Sequence, residues 1–343
     1  MDRKFNQSFI YSLPAILAVL LLISCEQNKP SRDDSSGEDF KNPAQSDVHV
    51  PDFNADTAYA FIAKQVSFGP RIPGTSAHAT CAHWLEEKLR SYCKDVVLQD
   101  LQVEIYNGEK LPCKNLIASF NPQAEKRILL CAHWDTRPWS DRDSIDKKKQ
   151  FDGADDGGSG VGVLLEIARQ LSNLKTNAGI DIALFDVEDY GPPSWEPLNE
   201  DVDGYGIGTQ HWANNPHHPQ YRAYYGILLD MVGAKNATFL QEGTSMQYAP
   251  SVVRKVWGTA NTLGYGNYFI NEKANAVTDD HTYVNTINGT PCIDIINLNA
   301  SAPNAFARHW HTQQDNMNVI DKNTLKAVGQ TLLQVIYTEL PSI

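Results

Sequence analysis

Five short, almost uninterrupted apolar runs constrain this chain more than any other feature: residues 115–120, 128–133, 180–187, 224–232 and 292–298. A strand with one wet face alternates apolar and polar residues. A run that is apolar at nearly every position is buried on both faces. Helical patterns lie between the runs. Over 77–93, Cys81, Trp84, Leu85, Leu89 and Tyr92 recur at steps of three and four, which places them on one helical stripe. Residues 160–171, 250–263 and 322–340 read as further helices. Strands that need cover on both faces, alternating with helices that supply it, predict an α/β fold. Its form is a three-layer α/β/α domain around a central mixed, mostly parallel twisted sheet.

The start of the chain reads differently. Arg3 and Lys4 precede an apolar stretch over 13–23, interrupted only by Pro14. It is too short and one-ended for a membrane span. It ends Leu22-Ile23-Ser24-Cys25, which resembles the lipobox of bacterial lipoproteins. That resemblance implies a leader over 1–24, cleavage before Cys25, and a lipid on its sulfur. Residues 25–50 are rich in Ser, Asp, Asn, Lys and Pro and read as a flexible tether. Residues 51–343 then form a single domain, long enough for one large core. The expected location is the bacterial cell envelope, on the periplasmic side, with membrane contact only through Cys25. The chain carries 41 acidic against 29 basic residues, a net charge of −12, which excludes nucleic acid as a partner because phosphate binding needs clustered Lys and Arg. Nothing calls for a partner subunit, and a monomer is expected. Among Cys81, Cys93, Cys113, Cys131 and Cys292 an odd count leaves at least one thiol free. Cys131 and Cys292 fall in apolar runs and read as core thiols.

Charged and imidazole groups gather just beyond the apolar runs. His133 and Asp135 follow the second run, and Asp155 and Asp156 precede a helix. Glu188 and Asp189 follow the third run, and Asp230 falls near the end of the fourth. Asp279, Asp280 and His281 open a helix, and His309 and His311 follow the fifth run. In open α/β sheets ligands bind outside the carboxyl ends of strands, so these groups can face one crevice. Carboxylates and imidazoles are the donors of catalytic zinc sites, which keep a position open. The long segment 191–222, rich in Pro, Gly, Asn and His, follows the acidic pair and reads as a site wall.

The order His133-Trp134-Asp135-Thr136, Gly153-Ala154-Asp155-Asp156-Gly157, Phe185-Asp186-Val187-Glu188-Asp189, Asp230-Met231-Val232-Gly233-Ala234, Asp279-Asp280-His281 and Trp310-His311-Thr312 resembles the zinc aminopeptidase superfamily. Within it the chain looks most like the animal-type glutaminyl-peptide cyclotransferases. Asp279 paired with Asp280 before His281, Trp310 before His311, and Trp195 after the acidic pair carry that likeness. The resemblance implies one zinc per chain, held by Asp156, Asp189 and His311. It implies Glu188 as proton shuttle, with Asp230 and Asp279 beside it, and a substrate slot of Trp195, Phe306 and Trp310. The substrate would be a peptide or protein with N-terminal glutamine, closed to pyroglutamate with loss of ammonia. Asp189 departs from the animal pattern, which has Glu there. The alternative is a two-zinc aminopeptidase in which His133, Asp156 and Asp230 hold the second metal.

Overall fold

The computed structural model describes residues 49–173, 178–197, 203–299 and 305–339. The leader, Cys25 and nearly all of the tether lie outside the described residues. The described part belongs to one unit, Ser46–Ile343. Its helices are α1 (Ala55–Val66), α2 (Ser76–Tyr92), α3 (Gly158–Leu171), α4 (Ile207–Asn214), α5 (Gly243–Tyr248), α6 (Pro250–Thr262), α7 (Asp280–Tyr283) and α8 (Lys322–Glu339); α7 runs on as a π-turn, Val284–Asn288. The strands are β1 (Val96–Glu104), β2 (Lys110–Phe120), β3 (Arg127–His133), β4 (Gly179–Phe185), β5 (Tyr225–Asp230), β6 (Phe239–Gln241), β7 (Phe269–Lys273) and β8 (Cys292–Ile296).

Six strands form the main sheet in the order β1-β2-β4-β3-β5-β8. The pairs β4–β3, β3–β5 and β5–β8 are parallel. The antiparallel hairpin β1–β2 adds to the β4 edge. The apolar runs divide their side chains between two cores. From β3, Ile128, Leu130 and Ala132 enter a core shared with α1, α2, α3, α6 and α8. Leu129 and Cys131 enter the opposite core, which holds Trp212 of α4 and Val284 of the π-turn. Successive strand residues point to opposite faces, so a continuous apolar run is what a covered sheet requires. The expected three-layer α/β/α arrangement is the one observed.

Details differ from the sequence reading. The fourth run becomes a strand only over Tyr225–Asp230, and the third stops at Phe185, releasing Asp186 to Asp189 from the sheet. Strand β1 was not expected, because it lies at the sheet edge with a polar, half-exposed pattern. The segment 191–222 contains helix α4 rather than loop alone. A buried ion pair, Arg127 on β3 with Asp181 on β4, sits inside the sheet. Asp181 on β4 is fully buried. It accepts from Ser119 Oγ at 2.6 Å, Arg127 Nε at 2.7 Å and the Tyr221 hydroxyl at 2.8 Å. Five described cysteines are free and buried. Among the described residues no helix is long and apolar enough to cross a membrane.

Helix α3 sets the height of the crevice. A Cβ at Gly160 would stand 2.3 Å from the Leu229 carbonyl oxygen on β5 and 2.9 Å from Ala132 Cβ on β3. The helix backbone therefore lies directly on the sheet, and Asp155 and Asp156, just ahead of it, fall beside the strand ends. Gly160→Ala should destabilise the fold by about 1–3 kcal/mol through overpacking. The expected readout is a lower urea midpoint with an unchanged slope.

Candidate active site

The carboxyl ends of β3, β4 and β5 release the chain into tight turns that carry the acids. Two non-glycine residues there adopt left-handed backbone, Val187 (φ 54°) and Met231 (φ 50°), as does His311 (φ 54°) in the irregular segment after β8. A β-branched residue in this region is strained, and such strain collects at functional sites. Here Val187 turns Glu188 and Asp189 out of β4, and Asp135 holds the result. Its Oδ1 accepts from Glu188 N at 3.1 Å and its Oδ2 from Asp189 N at 3.3 Å. Gly157 (φ 77°) closes the turn before α3, where a Cβ would stand 2.3 Å from the Asp135 carbonyl oxygen. Asp315 accepts from the backbone N–H groups of Asp155 and Asp156 at 2.8 and 3.1 Å. Asp155 in turn accepts from Gly233 N and lies 2.8 Å from His309 Nε2.

Eight of the nine residues to which the cyclase resemblance gives a role line one cavity of about 670 Å³: Asp156, Glu188, Asp189, Asp230, Asp279, Phe306, Trp310 and His311. Trp195 does not line it. That side chain is 40% exposed and stands edge-on to Trp139, ring centroids 5.9 Å apart. The cause is local: Asp141 accepts from Ser194 N and Arg137 donates to the Pro192 carbonyl, which ties this stretch to the 137–141 segment. Tyr205 lines the cavity instead. Its backbone is set by Gly206 N and Ile207 N donating to the Glu188 and Val187 carbonyls, and its ring fills the space over Gly191. On the opposite wall Phe306 stacks on Trp310 at 4.3 Å, and Trp310 on His311 at 3.9 Å.

Two groups of donors share Asp156. In one, His311 Nε2 lies 3.1 Å from Asp189 Oδ2 and 3.4 Å from Asp156 Oδ2. In the other, His133 Nε2 lies 3.1 Å from Asp156 Oδ1 and 3.2 Å from Asp230 Oδ1. Within each group the ligand atoms fall within 4.8 Å of one another. Asp156 Oδ2 and Asp189 Oδ2 are buried with no hydrogen-bond partner. Buried carboxylate oxygens left in this state cost free energy unless a cation meets them. The first group thus fits a divalent metal with mixed oxygen and nitrogen donors.

The acids behind the metal group are crowded. Burial pushes the Glu188 carboxyl well above the usual range; His133 opposes this, while Asp189, Asp279 and Asp280 add to it. Burial likewise raises Asp230, against its bond to His133 and with Asp279 and Asp156. In both, burial favours the protonated form. Sequence reading missed Arg137, Asp141 and Tyr205. All three act from irregular segments, where no periodicity announces burial.

The family described as Peptidase family M28 matches residues 115–336. A Zn-dependent exopeptidase from Parabacteroides distasonis is 52% identical, with TM-score 0.83, over 84% of this chain and 99% of that one. Tannerella forsythia glutaminyl cyclase is also 52% identical, with TM-score 0.81, over 84% of this chain and 99% of that one. Glutaminyl-peptide cyclotransferase from Bothrops jararaca is 28% identical over 251 residues, 66% of this chain and 65% of that protein. Sheet order, the turns at the strand ends and the donor groups they carry agree with the sequence match, and the chain belongs to peptidase family M28.

Proposed function

We propose that this chain is a glutaminyl-peptide cyclotransferase, closing N-terminal glutamine of peptides and proteins to pyroglutamate with release of ammonia. The carrying observation is the layout of the cavity. A donor group for one metal (Asp156, Asp189, His311) stands beside the raised acid Glu188, with the stacked Phe306–Trp310 pair opposite. The likeness to glutaminyl cyclases in sequence and fold supports the same reading.

Asp156, Asp189 and His311 would hold a zinc ion, which would supply Lewis-acid polarisation of the γ-amide carbonyl. Phe306 and Trp310 pack against the glutamine methylenes and keep water from the reacting carbon. The nucleophile is the substrate's own α-amine, so the protein's task is orientation, and an intramolecular closure gains much of its rate that way. As the amine nitrogen bonds to Cδ, Glu188 accepts its proton. Glu188 then returns a proton to the amide nitrogen, the Cδ–N bond breaks, and ammonia leaves. A carboxyl already held well above its usual range suits both halves of that transfer. Asp230 and Asp279 line the same cavity, where they can hydrogen-bond the amide nitrogen.

A second reading rests on the second donor group. His133, Asp156 and Asp230 could hold a further zinc, giving a two-metal aminopeptidase in which Glu188 activates water. We further propose that Cys25 carries a lipid and tethers the enzyme to the bacterial cell envelope on the periplasmic side. The sequence Leu22-Ile23-Ser24-Cys25 supports this.

Purified residues 26–343 should release ammonia and pyroglutamyl product from Gln-Ala and leave a chromogenic leucine substrate intact. Leucine hydrolysis without cyclisation would move the chain to the second reading. Glu188→Gln should lower kcat by about 10²–10⁴-fold, and retention of full activity would remove Glu188 from the mechanism. A chelator should abolish activity and zinc should restore it, with metal analysis giving about one zinc per chain rather than two. In the full-length chain, Cys25→Ser should shift the protein from the membrane fraction to the soluble one; unchanged membrane association would sink the lipid anchor.

A further inference from the structure

Building on the zinc reading above, we propose that Arg137 and Asp141 form a clamp that positions two of the three metal ligands, Asp189 and His311. Neither residue belongs to a helix or strand, yet both are almost fully buried, at 1% and 2% exposed. The Arg137 guanidinium meets four residues at once. Nε and Nη2 donate to the two carboxylate oxygens of Asp141 at 3.0 and 2.9 Å. Nη1 donates to Asp189 Oδ1 at 3.3 Å and to the Asp189 carbonyl at 3.2 Å. The carbonyls of Gly191 and Pro192 receive the rest at 3.3 and 3.0 Å.

The division of oxygens on Asp189 is the informative part. Oδ1 is taken by Arg137. Oδ2 is left without a hydrogen bond and lies 3.1 Å from His311 Nε2. The guanidinium therefore selects which oxygen is free to bind metal. Asp141 does the corresponding work on the imidazole. Its Oδ1 stands 3.4 Å from His311 Nδ1. A ring that gives its Nδ1 proton to a carboxylate presents the Nε2 lone pair. His311 needs such a hold, because it sits on left-handed backbone (φ 54°). One planar fork thus sets the free oxygen of one ligand and, through Asp141, the tautomer of the other. An ammonium group has no fixed fork and cannot do both.

The role is one of positioning, and zinc affinity measures it apart from catalysis. Zinc dissociation constants would be taken by competition with a chromophoric chelator, for the wild type, Arg137→Lys and Asp141→Asn. Far-ultraviolet circular dichroism and melting of each metal-free protein would accompany them. Arg137→Lys keeps the buried charge and Asp141→Asn keeps the shape, so each tests the clamp without emptying the site. Both variants should fold and bind zinc about 10–100-fold more weakly, and their cobalt forms should show altered visible absorption. Should one variant melt below the assay temperature, the other decides. Unchanged zinc affinity in a folded variant, whatever its melting temperature, would reduce the clamp to a structural tie and overturn the proposal. A wild type that takes up no zinc would instead remove the metal reading on which the clamp rests.

Discussion

The structure is organised around an excess of buried negative charge. Asp135, Asp156, Asp189, Asp230, Asp279 and Asp280 are all buried, with Glu188 among them. The basic groups beside them include His133, His311, Arg71 and Arg137. Isolated carboxylates taken out of water cost several kcal/mol each. Proteins meet that cost by pairing, by protonation or by binding a cation, and the arrangement here suits all three. Asp141 and Asp189 pair with Arg137. Glu188, Asp230 and Asp280 are driven well above the ordinary carboxylate range, chiefly by burial. Asp156 and Asp189 each keep a bare buried oxygen aimed at an imidazole, the arrangement a metal completes.

The rest of the fold serves to hold those charges together. Parallel strands place their carboxyl ends on one side, and the tight seat of α3 on β3 and β5 brings Asp155 and Asp156 level with them. Acids then restrain acids through the backbone. Asp135 binds the N–H groups of Glu188 and Asp189, and Asp315 those of Asp155 and Asp156. Each of these carboxylates gathers two donors and spaces its neighbours along the chain. The strain at Val187, Met231 and His311 persists because such contacts over-determine those turns.

Sequence reading reached the fold through side chains whose burial is repeated along an element. β3 and β4 are legible because every residue of each is buried. β1 is not, since a half-exposed edge strand looks like a polar linker. At the site, acids just past an apolar run reveal themselves by position. Trp195 shows the limit of resemblance. The likeness to the cyclases implied a pocket wall, but the bonds that tie residues 191–194 to Arg137 and Asp141 turn it outward. Tyr205, farther along the chain, reaches the cavity because α4 begins there and folds back on Val187 and Glu188. Such placements depend on contacts between irregular segments, and spacing in the sequence carries no record of them.

The two metal groups share Asp156, so the ligand types alone do not separate a one-metal cyclase from a two-metal peptidase, and His133 is compatible with both. Burial opposes a charge on its ring, yet its bonds to Asp135, Asp156 and Asp230 overcome this and raise its pKa well above the usual value. A hydrogen on Nε2 can be donated to Asp156 or Asp230, whose Oδ1 atoms lie 3.1 and 3.2 Å away. The same proton removes the lone pair that this metal would need. Proton and second metal are therefore alternatives at one nitrogen. The carboxylates around His133 strengthen its hold on either. The choice between the two chemistries then turns on which of them occupies Nε2 when substrate arrives.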